Sequence, residues 1–267
     1  MRLATSAVPS LPGDLSGSEG AAALVLDRVV KRFGGLTVID NVSVTVPRGG
    51  RLAVIGPNGA GKTTLFRLIA GEHSASSGSI QLFGEDVTSV EERARARKGV
   101  SRTFQVSNLF PSLTVVDNVR IAAQVATRTS HSFWTRVRPG DPHSIQAVQV
   151  LDRVGLGHRA KDRVADLSHG EQRQLEIGMA LVITPKLLLL DEPAAGLSAA
   201  ERQILHELLE NLSREISFVL IEHDMKLALE LVDHVLCLDN GVPLAYGTPE
   251  EIRANPAVQA RYLGRKG

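Results

Sequence analysis

A glycine-rich stretch in the N-terminal half constrains the fold of this chain more than any other feature. Residues 56–63 fit the pattern G-x-x-x-x-G-K-[ST]; they follow the apolar run Leu52–Ile55 and open a helical stretch, Lys62–Ala70. Such a strand–loop–helix unit turns backbone N–H groups toward one point, which favours bound phosphate. Lys62 can reach the terminal phosphates of a nucleotide, and the Thr63 hydroxyl can hold Mg²⁺. The candidate nucleotide-binding residues are Gly56, Pro57, Asn58, Gly59, Ala60, Gly61, Lys62, Thr63 and Thr64.

Two acids follow the most apolar run of the chain, Leu187–Leu190. Asp191 and Glu192 come at the carboxyl end of this predicted strand, which is the edge where ligands bind in open α/β sheets. Asp191 would hold Mg²⁺ through water, and Glu192 would polarise the water that attacks the terminal phosphate. An isolated pair of acids at a strand end is usually only solvated. Because the chain also has a phosphate loop, we predict catalytic and metal-binding roles for them.

Gln105 and His223 fit the same site by their order in the chain. Gln105 follows Arg102-Thr103-Phe104, and its side-chain carbonyl could meet the Mg²⁺ ion or the attacking water. His223 follows the apolar run Phe218–Ile221, so it would lie near the carboxyl edge of a neighbouring strand. A lone glutamine is usually a surface residue and a lone histidine is usually structural. Both are candidates only because their positions fit the order of the other motifs.

Composition narrows the class of protein. Hydrophobic residues make up 43% and charged residues 22% of the 267 residues, which excludes a wholly disordered chain. Thirty Lys and Arg against 29 Asp and Glu leave a net charge of +1, and aromatic residues are only 4%. A chain with neither a basic field nor a platform of stacked rings is not expected to bind nucleic acid. The one cysteine, Cys237, excludes an internal disulfide and a cysteine-rich zinc site.

The remainder of the chain alternates short apolar runs with helical stretches, which implies an α/β fold with a largely parallel, buried sheet. Residues 1–20 are rich in Ser, Gly, Pro and Ala, which predicts a disordered tail before a domain over 21–267. A mainly helical lobe is expected over roughly 106–184, with a surface loop or insertion at about 127–144. The stretch Lys31–Gly35 has the composition of a turn. Strands are expected at Leu24–Val29, Val42–Val46, Leu52–Ile55, Ile80–Gly84, Leu187–Leu190, Phe218–Ile221 and Val235–Leu238.

The run Leu167-Ser168-His169-Gly170-Glu171-Gln172 decides the class. It resembles the LSGGQ signature of ATP-binding cassette (ABC) ATPases, and it lies shortly before the acidic strand, as theirs does. The other features of that family occur in the same order: an aromatic at Phe33, the phosphate loop, Gln105, the signature, Asp191-Glu192, the loop Ala195–Ser198 and His223. The resemblance runs from about residue 22 to 263. It implies a P-loop NTPase cassette with a mainly parallel core sheet, an antiparallel β subdomain and a helical subdomain.

The resemblance implies a role for each matching residue. Phe33 resembles the aromatic that stacks on adenine, although a core phenylalanine is the plain alternative. Ser168 and the Gly170 backbone resemble the groups that contact the γ-phosphate from an opposing subunit, whereas a serine there could also only cap its helix. Glu192 resembles the general base, and His223 the histidine that contacts the γ-phosphate. Each complete site, with ATP and Mg²⁺, would then lie between two cassettes packed head to tail.

Three positions depart from the family pattern. His169 replaces the first glycine of the signature, Glu171 replaces its terminal glutamine, and Ser198 stands where many members have Asp. The serine and the second glycine of the signature are kept, so contact with phosphate is expected to survive. Coupling across the dimer at Ser198 is left open.

Longer matches narrow the type of cassette. They look like the ATPase subunits of branched-chain amino acid importers, which implies a subunit that hydrolyses ATP to ADP and phosphate and energises transport. Similar subunits serve urea or short amides, and a related one drives lipopolysaccharide export. A soluble cassette ATPase acting on DNA or ribosomes fits less well, because the chain has one phosphate loop and no heptads, and a small-molecule kinase would lack the signature. The matching stretches are residues 102–105, 191–197, 221–225, 247–252 and 262–264.

Partners follow from the same resemblance. The longest apolar runs, such as Ala21–Leu26, are shorter than the roughly 18 residues of a membrane helix. The chain is therefore expected to be peripheral, at the cytoplasmic face of the cell (inner) membrane, and to act with permease subunits and a second, non-identical cassette. Residues 109–111, Leu-Phe-Pro, are expected either to line a groove for a permease helix or to form a small core cluster.

Overall fold

Ten strands form two sheets in the part of the chain that a computed structural model describes, residues 22–103, 109–127 and 142–263. One sheet is antiparallel with the order β2-β1-β4-β5, and the other has the order β10-β9-β3-β8-β7-β6 with only β10 antiparallel. The strands are β1 (Ala22–Phe33), β2 (Leu36–Pro47), β3 (Arg51–Ile55), β4 (Ser77–Leu82), β5 (Glu85–Asp86), β6 (Val100–Arg102), β7 (Leu187–Asp191), β8 (Ser217–Ile221), β9 (His234–Asp239) and β10 (Val242–Gly247).

Nine α-helices surround these sheets within the same described ranges. Three of them begin with a capping box, in which an N-cap hydroxyl and a Glu three residues later satisfy each other's backbone N–H groups: α5, α6 and α8. The helices are α1 (Lys62–Ala70), α2 (Glu92–Arg97), α3 (Val115–Thr127), α4 (Pro142–Arg153), α5 (His169–Leu181), α6 (Ala199–Glu210), α7 (Met225–Leu231), α8 (Pro249–Ala254) and α9 (Pro256–Val258). In the described residues, no helix is long and apolar enough to cross a membrane.

The six-stranded sheet separates two hydrophobic cores, which explains why the four residues Leu187–Leu190 of β7 are all apolar. Leu187 and Leu189 face the core that holds α1 and the antiparallel sheet, whereas Leu188 and Leu190 face the core that holds α3, α5 and α6. Successive side chains of a strand point to opposite faces of the sheet, so a strand covered on both faces has no polar positions. Asp191 is the last, still buried, residue of β7, and Glu192 is the first residue after the strand.

The fold class predicted from the sequence is confirmed by this architecture, while several local expectations change. The turn lies only at Gly34-Gly35, because Lys31, Arg32 and Phe33 continue β1. Within the lobe expected to be mainly helical, α5 begins after Ser168 and ends at Leu181. The short elements β5, β6 and α2, and the edge strand β10, were not predicted. Residues 1–20, Gln105 and most of the 127–144 stretch lie outside the described residues.

Candidate active site

The loop of residues 56–61 joins β3 to α1 at the carboxyl edge of the six-stranded sheet. Strand β3 lies between β8 and β9, so the loop is central in the sheet. Gly61 has φ +97°, and a Cβ there would lie 2.8 Å from the Val38 carbonyl oxygen. A Cβ on Gly56 would lie 2.6 Å from the Leu238 carbonyl oxygen. These two glycines therefore let the loop pack against neighbouring backbone, which a side chain would prevent.

The side chain of Lys62 folds back over the phosphate loop that precedes it in the chain. Its ammonium donates hydrogen bonds to the carbonyl oxygens of Gly56 at 2.7 Å and Pro57 at 3.1 Å, and the residue is only 5% exposed. Burial lowers the pKa of Lys62, and the carboxylates of Glu192 and Asp191 oppose that shift. The loop thus presents a cation beside its own backbone N–H groups, which suits a polyanionic ligand.

One cavity of about 330 Å³ joins this loop to two residues from other strands. It is bounded by Val38, residues 58–64, Glu192 and His223. Glu192 follows β7 and His223 follows β8, and these parallel neighbours end at the same edge of the sheet. The His223 Nε2 atom lies 2.9 Å from Glu192 Oε1. The structure therefore brings together Lys62, Thr63, Thr64, Glu192 and His223 as the sequence predicted.

Glu192 has a backbone conformation that side chains rarely adopt. Its φ is +48°, in the left-handed region, and its N–H donates to the Ile221 carbonyl oxygen at 2.9 Å. Such a conformation costs of order 1 kcal/mol or more for a residue other than glycine, and it persists where the surrounding structure enforces it. Here it turns the Glu192 side chain out of β7 and toward His223.

Asp191 is the buried member of the acid pair. Its Oδ2 atom accepts a hydrogen bond from the Arg102 guanidinium at 2.9 Å, whereas its buried Oδ1 atom has no hydrogen-bond partner among the residues that the structure describes. A buried acceptor without a partner is costly unless a water or an ion completes it. Mg²⁺ takes oxygen ligands, commonly one or two carboxylates with several waters. The free Asp191 oxygen and the Thr63 hydroxyl therefore fit the predicted ion.

The signature residues Ser168 and Gly170 lie at the start of α5. Neither of them borders the cavity that Lys62 shares with Glu192. Ser168 is the N-cap: its Oγ atom accepts from the Glu171 N–H at 3.2 Å, and Glu171 accepts from the Ser168 N–H at 2.8 Å. The Gly170 N–H donates to Glu201 Oε1 at 2.9 Å. Within this chain, Ser168 therefore caps its own helix, as the capping alternative expected. A contact between Ser168 and the nucleotide of a second subunit stays a prediction.

Phe33 is not a core residue. It is 45% exposed at the end of β1, where its ring makes a T-shaped contact with the His73 ring at a centroid distance of 5.3 Å and Lys31 Nζ lies over the ring at 4.8 Å from its centroid. The core interpretation of Phe33 is therefore wrong, and a role in stacking on adenine stays a prediction. Gln105 belongs to residues 104–108, outside the described part, so its role stays a prediction.

Several residues that support the site were not predicted. Arg102 pairs with Asp191 and also with Glu72. Arg173 of α5 donates to the Asp191 carbonyl oxygen at 2.8 Å and to the Pro193 carbonyl oxygen at 3.0 Å. Glu201 could have been found from its capping-box spacing to Ser198. Nothing in a single sequence marks either arginine as a neighbour of the acid pair.

This arrangement defines a P-loop ATPase cassette: a phosphate loop at the centre of a parallel sheet, with an acid pair and a histidine at adjacent strand ends. Comparison with known proteins gives the family. The family described as ABC transporter matches residues 39–195, and the family described as branched-chain amino acid ATP-binding cassette transporter matches residues 242–267. The chain belongs to the ABC transporter ATP-binding family, and it is therefore an ABC ATPase, as the signature predicted.

Characterised relatives are similar over almost their whole length. The chain is 39% identical over 248 residues to the high-affinity branched-chain amino acid transport ATP-binding protein BraF of Pseudomonas aeruginosa, covering 90% of this chain and 97% of BraF. It is 38% identical, with the same coverage, to the corresponding protein LivG of Escherichia coli K12. Among solved structures, the ADP conformation of the ATP-binding cassette MJ1267 matches with a TM-score of 0.79 and 28% identity, over 91% of this chain and 99% of that one.

Proposed function

We propose that this chain energises an importer of branched-chain amino acids, as a peripheral subunit at the cytoplasmic face of the cell membrane. The main support is the similarity of the chain to BraF and LivG over 97% of their length, together with the match of residues 242–267 to the family of branched-chain amino acid ATP-binding cassette transporters. The transported molecule is not expected to touch this chain, so the substrate rests on that similarity alone.

ATP hydrolysis would use the cavity between the phosphate loop and the two strand ends. The loop N–H groups and Lys62 hold the β- and γ-phosphates, and Phe33 stacks on the adenine. A water attacks the γ-phosphorus, its proton passes to Glu192, and the bond from the γ-phosphorus to the bridging oxygen breaks, which releases ADP and phosphate. His223 contacts the γ-phosphate and orients Glu192 through the 2.9 Å contact between them. Catalysis is then mainly positioning and electrostatics.

Thr63, Asp191 and Gln105 would hold Mg²⁺; Thr63 borders this cavity, and Asp191 directly precedes Glu192, which also borders it. When bound, the ion supplies positive charge that offsets the charge of the phosphate oxygens. The Oδ1 atom of Asp191 supports this assignment, because among the described residues this buried acceptor has no hydrogen-bond partner. Arg102 donates to the other oxygen of the same carboxylate, Oδ2, which leaves Oδ1 available to the ion.

A complete site would take residues from two cassettes arranged head to tail. Lys62, Glu192 and His223 come from one chain, and Ser168 with the Gly170 N–H comes from the other. The position of Ser168 and Gly170 at the N-terminus of α5 supports this, because a helix N-terminus favours a bound phosphate. In the native transporter the partner is a second, non-identical cassette.

A mixing experiment tests the shared site. The experiment uses the isolated chain at a concentration at which it pairs with itself in place of its native partner. The Ser168→Arg chain and the Lys62→Ala chain are each expected to be inactive, but a mixed dimer of the two has one intact composite site, so phosphate release should exceed that of either variant alone. Thr248→Arg removes an equivalent N-cap from α8 and is the control for capping, which is worth about 1 kcal/mol. An active, monomeric Ser168→Arg chain would rule out the shared site.

A permease helix is proposed to occupy an apolar groove between the sheet and the helices. The groove has a volume of about 550 Å³ and is lined by β6, α3 and α5 together with Leu109 and Phe110. Phe110 and Val125 are 46% and 65% exposed, so the plain core interpretation of Phe110 does not hold. Met179 and Ile183 continue the apolar surface on the α5 side. An amphipathic helix of the permease would cover this surface by laying its apolar face into the groove.

Uptake by cells tests the proposed substrate. We expect deletion of the gene to abolish high-affinity uptake of radiolabelled leucine, isoleucine and valine. Expression of the parent chain should restore this uptake, whereas expression of the Lys62→Ala chain should not. Uptake of labelled urea and short amides, measured in the same cells, is expected to stay unchanged. Normal leucine uptake after deletion, with loss of urea or amide uptake, would assign the chain to one of those other importers.

A further inference from the structure

A buried carboxylate connects the two loops that carry Glu192 and His223. Glu222, the residue after β8, is only 4% exposed. Its Oε1 atom accepts a hydrogen bond from the Ala194 N–H at 2.8 Å, and its Oε2 atom accepts one from the His223 N–H at 3.1 Å. One side chain therefore bonds to the backbone after the acid pair and to the backbone of the histidine.

The two bonds act on the positions of the reacting side chains. The Ala195 N–H donates to the Glu192 carbonyl oxygen at 3.1 Å, so Ala194 lies within a tight turn that begins at Glu192. Anchoring the Ala194 N–H holds that turn, and with it the left-handed backbone of Glu192. The second bond holds the backbone of His223, whose ring lies 2.9 Å from Glu192 Oε1. The loops are thus joined twice, through Glu222 at the backbone and through the side-chain contact.

The chemistry of this connection requires a carboxylate. Burial raises the pKa of Glu222, and the hydrogen bonds from the backbone of Ala194, His223 and Asp224 oppose that shift. An ionised carboxylate accepts hydrogen bonds on both oxygens, whereas the amide of glutamine accepts on one end and donates on the other. A glutamine at this position would turn an N–H group toward one of the two backbone N–H donors and so lose one of the two connections.

We propose that Glu222 is a positioning residue for ATP hydrolysis, which holds the loops of Glu192 and His223 in register so that both side chains act on one γ-phosphate. This inference rests on the roles proposed above for Glu192 and His223. Glu222 is buried and does not border the cavity, so it would act through the two loops that it joins.

The test is Glu222→Gln in the transporter assembled with its permeases and partner cassette. We expect kcat for ATP hydrolysis to fall roughly ten- to hundredfold, as small misplacements of catalytic groups do, while the affinity for ATP changes less than about twofold. Glu251→Gln is the matched control, because the Glu251 carboxylate also accepts a backbone N–H, from Thr248 at 2.8 Å, but far along the chain at α8. It should keep the parental kcat.

A cycle of variants separates positioning from a purely structural role. If Glu222 acts through Glu192 and His223, adding Glu222→Gln to a chain that already carries Glu192→Gln and His223→Ala should slow single-turnover hydrolysis of labelled ATP by less than about twofold, because both groups being positioned are already lost. A full ten- to hundredfold further loss would overturn the proposal, and so would a parental kcat in Glu222→Gln alone. If Glu222→Gln does not fold, Glu222→Asp, whose shorter carboxylate cannot reach both loops, is measured by the same criteria.

The turnover of Glu192→Gln and Glu222→Gln, measured side by side, distinguishes an error in the role of Glu222 from an error in the proposed catalytic roles. If Glu192→Gln hydrolyses ATP at the parental rate, the assignment of the general base is wrong, and the positioning role falls with it. If Glu192→Gln is slow but Glu222→Gln is not, only the role of Glu222 is wrong.

Discussion

Replacement of Lys62 by alanine is expected to reduce ATP hydrolysis by a factor of at least about 100, the scale of removing one preorganised charge from a transition state. The Lys62 ammonium is buried beside the loop carbonyl oxygens of Gly56 and Pro57, and Glu192 and Asp191 are close enough to affect its pKa. Without the ammonium, the charge on the β- and γ-phosphates loses its compensating charge in the phosphate loop. Phosphate release by the purified chain or by the assembled transporter measures the effect.

The control for Lys62→Ala is Lys161→Ala, which removes one positive charge from an exposed position. The control is expected to hydrolyse ATP at the parental rate. Thermal unfolding of both variants shows whether a loss of activity reflects loss of fold. Parental turnover in a folded Lys62→Ala chain would contradict the role assigned to the loop lysine.

The second large effect is expected for Glu192→Gln, which should separate nucleotide binding from chemistry. The amide has the shape of the carboxylate but almost none of its basicity, so hydrolysis should fall by about 10²–10⁴, the contribution typical of a general base. Binding of Mg-ATP should stay close to the parental affinity, because the phosphate loop and Lys62 are intact. Nucleotide affinity and single-turnover hydrolysis are measured on the same preparation.

Glu215→Gln, at an exposed position after α6, is the control for Glu192→Gln. If affinity and turnover of the Glu192→Gln chain fall together, Glu192 is a binding or structural residue. Glutamine and glutamate both carry a Cβ atom, so the left-handed backbone at position 192 is equally strained in the parent chain and in the variant. Backbone strain therefore does not explain a selective loss of turnover.

Long apolar strands and the motifs next to them were predictable because their signals are local. Helix α1 was expected over the residues that it occupies, because the phosphate loop marks its start and Gly71 marks its end. The start of α8 also has a local signal, since Thr248 and Glu251 have the spacing of a capping box. The expected strands are present, with ends shifted by a few residues, and each is buried on at least one face.

The elements that were missed carry weak local signals. Strand β6 has three residues, and it is a strand because β7 lies parallel beside it. Edge strand β10 contains Pro243, which lowers its strand propensity, and it forms by pairing with β9. In both cases the hydrogen-bond partner comes from a distant part of the chain, so no local pattern can reveal it.

The sequence by itself determined the class of the protein, because the phosphate loop, the signature and the acid pair are short, contiguous patterns whose order is specific. It also placed Lys62, Glu192 and His223 in one site, since consecutive parallel strands end at one edge of a sheet. The tertiary structure alone decided what supports them: Arg102 on Asp191, Arg173 on the backbone after β7, and Glu222 between two loops. These contacts join residues from different elements, and their energy depends on burial and distance, which exist only once the chain has folded.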